Sequence, residues 1–341
     1  MKKASYYAIQ VRFGILISLM LFLSACVQIK PWDGYYYGMN NEVTWSLSWV
    51  EDITWEIYIT PWNFQPYYDS LASTKSWLQI QVYEFTEKRI KNLIKNLLNK
   101  GTDVKIIIED KKFQQYRNTY KDLINLFTWY KNIEIKSDKQ MWTEYIHSKV
   151  DLLDDSFWIK TNNITASAFK SSREYMFRSY DGGVKQSLDK IFDKDWRWEK
   201  IETKDIHPNL LVCNINCRDI IEDMLNKAKE SILIETQYIT DPNIFEILKS
   251  KSILSWFQII VADTDDNDNL LNYFWPAKVK KLKKPYVHAK MILIDNKYLI
   301  LGSMNLSQNS LDKNREIWII LIDQILIGKF ESQFRRDWRN Q

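Results

Sequence analysis

The strongest constraint on this chain is that it carries the same string of polar residues twice. Residues 287–316 place His288, Lys290 and Asp295 at the spacing H-x-K-x4-D, followed by Gly302-Ser303-x-Asn305 and then Glu316. Residues 145–174 place His147, Lys149 and Asp154 at the same spacing, followed by Thr161-x-Asn163 and Glu174. In both copies the Glu follows the Asn by eleven residues, and the first copy is one residue shorter only between its Asp and its Asn. A hairpin turn there would tolerate such an indel. Of the three histidines in 341 residues, two open these motifs, and the third, His207, reads as a surface residue before Pro208. A lone strand histidine would read as structural; two at shared spacing read as a site.

Each motif follows a β-α-β pattern. Residues 78–85 alternate as a strand, Ile90, Leu93, Ile94, Leu97 and Leu98 recur at helical spacing up to Gly101, and 104–108 read as a buried strand. The second half repeats this, with a helix at 219–229, a strand at 231–235, a helix at 244–249 and a strand at 257–262. The expected fold class is therefore α/β: two halves related by a pseudo-twofold axis, 77–200 and 201–341, each a mixed sheet flanked by helices. With 45% hydrophobic and 26% charged residues, the composition is globular.

Ahead of the halves, residues 1–26 have a basic start (Lys2, Lys3, Arg12), a short apolar run and Leu23-Ser24-Ala25-Cys26, the layout of a secretory signal. It resembles a lipoprotein signal in which Cys26 is the lipidation site, so the expected location is extracytoplasmic and membrane-anchored. Residues 27–76 read as an aromatic tether with an early strand near Ile57. Removing the signal leaves a nearly neutral chain, which disfavours a nucleic-acid binder.

On a strand, residues two apart share a face, so His147 projects with Lys149, and His288 with Lys290. Two imidazoles, two ammonium groups and two amides meeting on one axis suit a phosphodiester. The lysines and the Asn, Ser or Thr donors would neutralise phosphoryl oxygens, one imidazole would attack phosphorus, and the other would protonate the leaving alcohol. A carboxylate on the far ring nitrogen would fix each tautomer.

The paired motifs resemble the phospholipase D superfamily over roughly residues 78–338. The resemblance implies one active site between two α/β halves, no metal or other cofactor, and a phosphohistidine intermediate. It implies His147 as nucleophile and His288 as acid and base, with Lys149, Lys290, Thr161, Asn163, Ser303 and Asn305 around the phosphate. Asp154, Asp295, Glu174 and Glu316 would orient or support the histidines. The expected substrate is a phospholipid at a membrane surface, cleaved by water or transferred to an alcohol as cardiolipin synthases do; an extracytoplasmic nuclease is the alternative. Both motifs lie in one chain, so a monomer suffices. The basic run 278–284 could steer a phosphate toward His288, or be a plain solvated face.

The sequence departs from the family's pattern in two places. Lys160-Thr161 stands where the second copy has Gly302-Ser303, and Trp318 stands where Gly is common. The chain also has only 8 Gly beside 15 Trp. Trp142, Trp256 and Trp275 occupy positions where Gly makes better physical sense, so some tryptophans are expected to be glycine in the native protein, through a source that reads UGA as glycine. Trp338 reads as genuine. Cys213 and Cys217 are preferred as small buried thiols over a short disulfide, and the acidic run 263–268 reads as a solvated loop rather than a calcium site.

Overall fold

The computed structural model describes residues 50–53, 55–61, 63–110 and 119–340. Cys26, the signal segment and residues 27–49 of the tether lie outside the described residues.

The first half runs β1 (Trp55–Ile59), α1 (Gln65–Ala72), β2 (Trp77–Val82), α2 (Lys88–Asn99), β3 (Asp103–Ile108), α3 (Thr119–Phe127), β4 (Ile133–Ser137), β5 (Val150–Leu152), β6 (Phe157–Lys160), α4 (Ala166–Lys170), β7 (Ser172–Arg173), β8 (Tyr175–Ser179) and α5 (Gly182–Arg197). The second runs β9 (Leu210–Val212), α6 (Cys217–Lys227), β10 (Ser231–Thr236), α7 (Pro242–Lys251), β11 (Trp256–Ala262), α8 (Asp268–Tyr273), β12 (Val279–Leu282), β13 (Tyr286–Val287), β14 (Lys290–Ile294), β15 (Tyr298–Gly302), β16 (Ile317–Leu321) and α9 (Gln324–Arg339).

The two large sheets have one topology. The first is ordered β1-β8-β6-β5-β2-β3-β4 and the second, read the other way, β9-β16-β15-β14-β10-β11-β12. In each, the β-α-β strands run parallel while the motif strand joins antiparallel and continues into hairpin partners. The fold is thus two mixed-sheet α/β halves flanked by helices. β1 is the early strand near Ile57; it pairs with β8 as the counterpart of β9, so the first half reaches back to Trp55 rather than starting at 77.

Apolar periodicity explains the layers. In α2, Ile90, Leu93, Ile94, Leu97 and Leu98 are buried against the outer face of the first sheet, and Gly101, at φ +93°, ends the helix in a conformation that favours glycine. α6 and α7 cover the second sheet in the same way. The inner faces of both sheets share one core with α5 and α9, in which Phe157, Phe177, Leu188 and Phe192 meet Met291, Leu301, Ile319 and Phe330. A continuous apolar core between the halves fixes their docking.

Two further expectations meet the structure here. Cys213 and Cys217 form a disulfide with Cα atoms 4.7 Å apart, correcting the preference for thiols. The bend from β9 into α6 supplies that proximity. Among the tryptophans, Trp142, Trp256 and Trp275 are exposed, and Trp198 caps α5 at φ +58°, a left-handed conformation that suits glycine far better than a bulky side chain. By contrast, Trp338 stacks on Phe334. Trp318 packs over Gly302, where a Cβ would fall 2.3 Å from its Cδ1 atom and from the Ile317 carbonyl oxygen.

Candidate active site

The histidines are set by a strand exchange between halves. β13, just ahead of His288, pairs in parallel with β7, just ahead of Glu174, and Val287 lies opposite Arg173. The equivalent bridge joins Ile146 to Arg315. Backbone N–H groups then follow: His147 donates to the Arg315 carbonyl at 2.9 Å and His288 to the Arg173 carbonyl at 3.1 Å. Each histidine therefore sits beside the glutamate of the other half. His147 Nδ1 lies 2.7 and 2.8 Å from the two Glu316 carboxylate oxygens, and His288 Nδ1 lies 2.8 Å from Glu174 Oε1. With the Nδ1 proton given to a carboxylate, the neutral ring keeps its lone pair on Nε2.

Burial governs the charges. It pushes the His147 pKa down to about 4, with Glu316 opposing and Lys149 adding to the fall. The His288 pKa is lowered for the same reason, against the pull of Glu174. Burial opposes ionisation of Glu316, but the His147 contact and Lys149 outweigh it and hold its pKa below the usual value. Lys149 and Lys290 are fully buried, and each donates from Nζ at 2.6 Å to the carbonyl of the histidine two residues earlier. Burial lowers Lys149 to about 7, with neighbouring Lys290 adding to the fall, and lowers Lys290 to about 8. Two desolvated ammonium groups facing one site are what an arriving dianionic transition state would relieve.

The remaining motif residues divide. Asn163 and Asn305 line the same cavity as His147 and His288, a space of about 550 Å³. Thr161 and Ser303, expected at the phosphate, are fully buried behind it. Thr161 donates from Oγ1 to Glu174 at 2.7 Å, while Ser303 Oγ accepts the Ile317 N–H at 3.1 Å, so the hydroxyls hold the two glutamate segments.

Asp154 and Asp295 are not brought to the histidines. Asp154 accepts the backbone N–H groups of Lys75, Ser76 and Trp77, and Asp295 those of Lys229, Glu230 and Ser231. Five residues of extended chain separate each from its lysine, roughly 16 Å. They tie the far end of the motif hairpin to the start of the neighbouring strand, β2 or β10. The resemblance to the phospholipase D superfamily had grouped them with the residues that orient the histidines.

Lys160, at the position of Gly302, is also accounted for. It is fully buried, and its ammonium group pairs with Asp151, which also accepts from Tyr67 Oη at 2.8 Å. The second half has Ile292 at the position of Asp151, so the first half replaces a glycine contact with a buried ion pair. The sequence reading missed the rest of the lining. Tyr83 sets its ring edge-on to His147 with centroids 4.8 Å apart, and Tyr238 Oη accepts from Asn305 Nδ2 at 3.0 Å. Tyr145 and Gln237 line the same cavity. Tyr83, Gln237 and Tyr238 lie just past the carboxyl ends of β2 and β10, where ligands gather in sheets of parallel strands. That rule was the available signal.

Comparison with known proteins bears on the family and the fold. The family described as "Cardiolipin synthase, PLD-like domain" matches residues 67–196 and 221–338, more than half of the chain. Cardiolipin synthase 1 of Bacillus anthracis is 25% identical over 135 residues, covering 36% of this chain and 26% of that protein. A phosphatidylserine synthase of Haemophilus influenzae shares the fold at a TM-score of 0.64 and 12% identity, over 82% of this chain and 86% of that one. A polyphosphate kinase of Porphyromonas gingivalis shares it at 0.64 and 12% as well, over 84% and 47%. The chain thus spans well under half the length of the curated cardiolipin synthases it matches, 26% and 39% in two cases.

Proposed function

Since the chain belongs to the family of cardiolipin synthase PLD-like domains, we propose that it cleaves phospholipid phosphodiesters through a phosphohistidine. Hydrolysis of the phospholipase D type is preferred over phosphatidyl transfer to an alcohol. The observation that carries this reading is the pair of crossed His–Glu dyads, with their buried lysines, around one cavity.

His147, neutral and held by Glu316, attacks phosphorus through Nε2, forming the P–N bond as the bond to the alcohol oxygen breaks. His288, protonated on Nε2 as well as on Nδ1 once the anionic phosphodiester is bound, delivers its Nε2 proton to that oxygen and keeps Nδ1–H on Glu174. Now neutral, His288 takes a proton from water or a second alcohol, whose oxygen attacks phosphorus as the P–N bond breaks. Lys149 and Lys290 balance the phosphoryl oxygens, and Asn163 and Asn305 donate to them. These side chains supply the positive charge, so the scheme calls on no metal.

Cys26, if acylated, would hold the site at a bilayer, which favours lipid over soluble substrates. The cavity wall is rich in amides and hydroxyls, including Asn163, Gln237, Thr240, Asn305, Gln308 and Asn309. That lining suits a polar head group, with the acyl chains left in the membrane, and it is also the observation that favours a nuclease as the second reading. Incubation with phosphatidylglycerol vesicles, and separately with plasmid, beside a His288→Ala control, separates them. Phosphatidic acid or cardiolipin made only by the unaltered protein supports the lipid reading and names the acceptor. Nicked plasmid with intact lipid would replace it.

A further inference from the structure

Behind each glutamate lies a second ionic layer that repeats with the pseudo-twofold symmetry. Arg173 immediately precedes Glu174, and Arg315 immediately precedes Glu316. Their carbonyls are the acceptors for the His288 and His147 N–H groups. The side chains turn the other way, into the protein. Arg173 grips Asp337 of α9 with Nε at 2.7 Å and Nη2 at 2.9 Å, and its Nη1 donates to the Thr60 carbonyl. Arg315 donates from Nε to Asp195 of α5 at 3.2 Å and from Nη1 to Asn214 Oδ1, also at 3.2 Å. Asp195 and Asp337 occupy the same place in their helices, two residues before the last. All four residues are buried.

We propose that Arg173 with Asp337, and Arg315 with Asp195, are positioning residues for the two histidines. One arginine fixes two things at once: the carbonyl that holds a histidine backbone, and, one residue on, the glutamate that holds its ring. A guanidinium gripped by a carboxylate gives that dipeptide a single orientation. Buried ion pairs are poor sources of net stability, so their value here lies in placement. The inference rests on the reading that His147 and His288 carry the chemistry.

The two clamps differ in two respects: Arg173 holds Asp337 through Nε and Nη2 whereas Arg315 reaches Asp195 through Nε alone, and the neighbouring strand offers each a different group. The fifth residue of β2, Gln81, donates to Asp195 at 2.8 Å, whereas the fifth residue of β10 is Glu235, with a carboxylate oxygen 3.9 Å from Arg173 Nε. Tyr175 donates to the other Glu235 oxygen at 2.6 Å. Arg173 therefore has a second carboxyl group nearby, whereas among the described residues Arg315 pairs with Asp195 alone. Loss of the Asp337 charge leaves Arg173 with Glu235 beside it, while loss of the Asp195 charge removes the one carboxylate that Arg315 is seen to pair with among the described residues.

The test uses Asp337→Asn and Asp195→Asn in the full chain, with Arg173→Lys and Arg315→Lys as second variants that keep the charge and lose the planar guanidinium with its several donors. With only three histidines in the chain, the two site Nδ1–H protons can be followed by NMR after histidine labelling. Changes at Asp337 or Arg173 are expected to move only the His288 resonance, and changes at Asp195 or Arg315 only that of His147. In each case kcat on phosphatidylglycerol vesicles should fall about a hundredfold, the effect of an ångström-scale misplacement, with KM nearly constant. Melting temperature should fall further for Asp195→Asn than for Asp337→Asn. Folded variants with both resonances in place and kcat unchanged would reduce the pairs to helix tethers and overturn the proposal. Resonances that move as expected in a protein without phosphodiesterase activity would leave the positioning intact and refute the functional reading instead.

Discussion

Glu316→Gln isolates the charge that the crossed dyad supplies. The carboxylate is fully buried and accepts from His147 Nδ1 through oxygens at 2.7 and 2.8 Å, so an amide of the same shape fits without a cavity. A hydrogen bond to a charged group is worth about 1.5–3 kcal/mol, which converts to a rate loss of about 10- to 150-fold if it serves the transition state in full. A second effect adds to this. A Gln amide can present its NH2 group to Nδ1, which favours the tautomer with the proton on Nε2 and removes the lone pair that attacks phosphorus. Wrong-tautomer substitutions in comparable triads cost about 10⁴-fold. The expected loss in kcat therefore lies between about 10² and 10⁴, measured as initial rate of phosphodiester release, with circular dichroism to check folding. A folded variant within threefold of the parent would refute the reasoning, because the carboxylate would then be neither orienting nor charging the imidazole.

Four more outcomes can be measured. With Lys149 lowered to about 7 and Lys290 to about 8 by burial, kcat/KM should fall as pH rises through that range, while kcat holds to higher pH because bound phosphate restores both ammonium groups. Stability should move the opposite way. Unfolded lysines keep their protons up to about pH 10.4, so between about 7 and 10 the unfolded state binds more protons, and these two residues make unfolding harder as pH rises, as a denaturant series at several pH values would show. Asp154→Ala or Asp295→Ala should lower the melting temperature by removing acceptors for three backbone N–H groups each, yet leave the pH profile of the folded fraction unchanged; a shifted profile would return them to the histidines. Intact mass of the protein from its native source should show glycine in place of tryptophan at exposed or left-handed positions such as Trp142, Trp198 and Trp275, and a mass carrying every tryptophan would dispose of the recoding idea.

The sequence made the two halves and the polar set legible because both depend on local order. Strand alternation and helical spacing are read residue by residue, and a repeated H-x-K pair with Asn and Glu at fixed offsets points to a duplicated site. The crossing of the dyads was not legible, since it arises from docking of the halves, where 146 meets 315 and 287 meets 173. Asp154 and Asp295, which the resemblance had set beside the histidines, lie elsewhere because an extended strand carries residues near in sequence far apart in space. Lys160 departs from the glycine of the family's pattern, and its partner Asp151 lies nine residues earlier on the neighbouring strand. Arg173 and Arg315 carried no signal beyond preceding a glutamate, because their partners lie on helices 164 and 120 residues distant in sequence.

The central claim is that one histidine becomes covalently phosphorylated and the other turns that adduct over. Reactions with a phosphorus-labelled phosphatidylglycerol, stopped in denaturant at alkaline pH where a P–N bond survives and resolved by peptide mass, test it most directly. The account predicts an adduct on His147 that accumulates in His288→Ala and is absent from His147→Ala. Steady turnover by His147→Ala, or an adduct confined to any other residue, would contradict it.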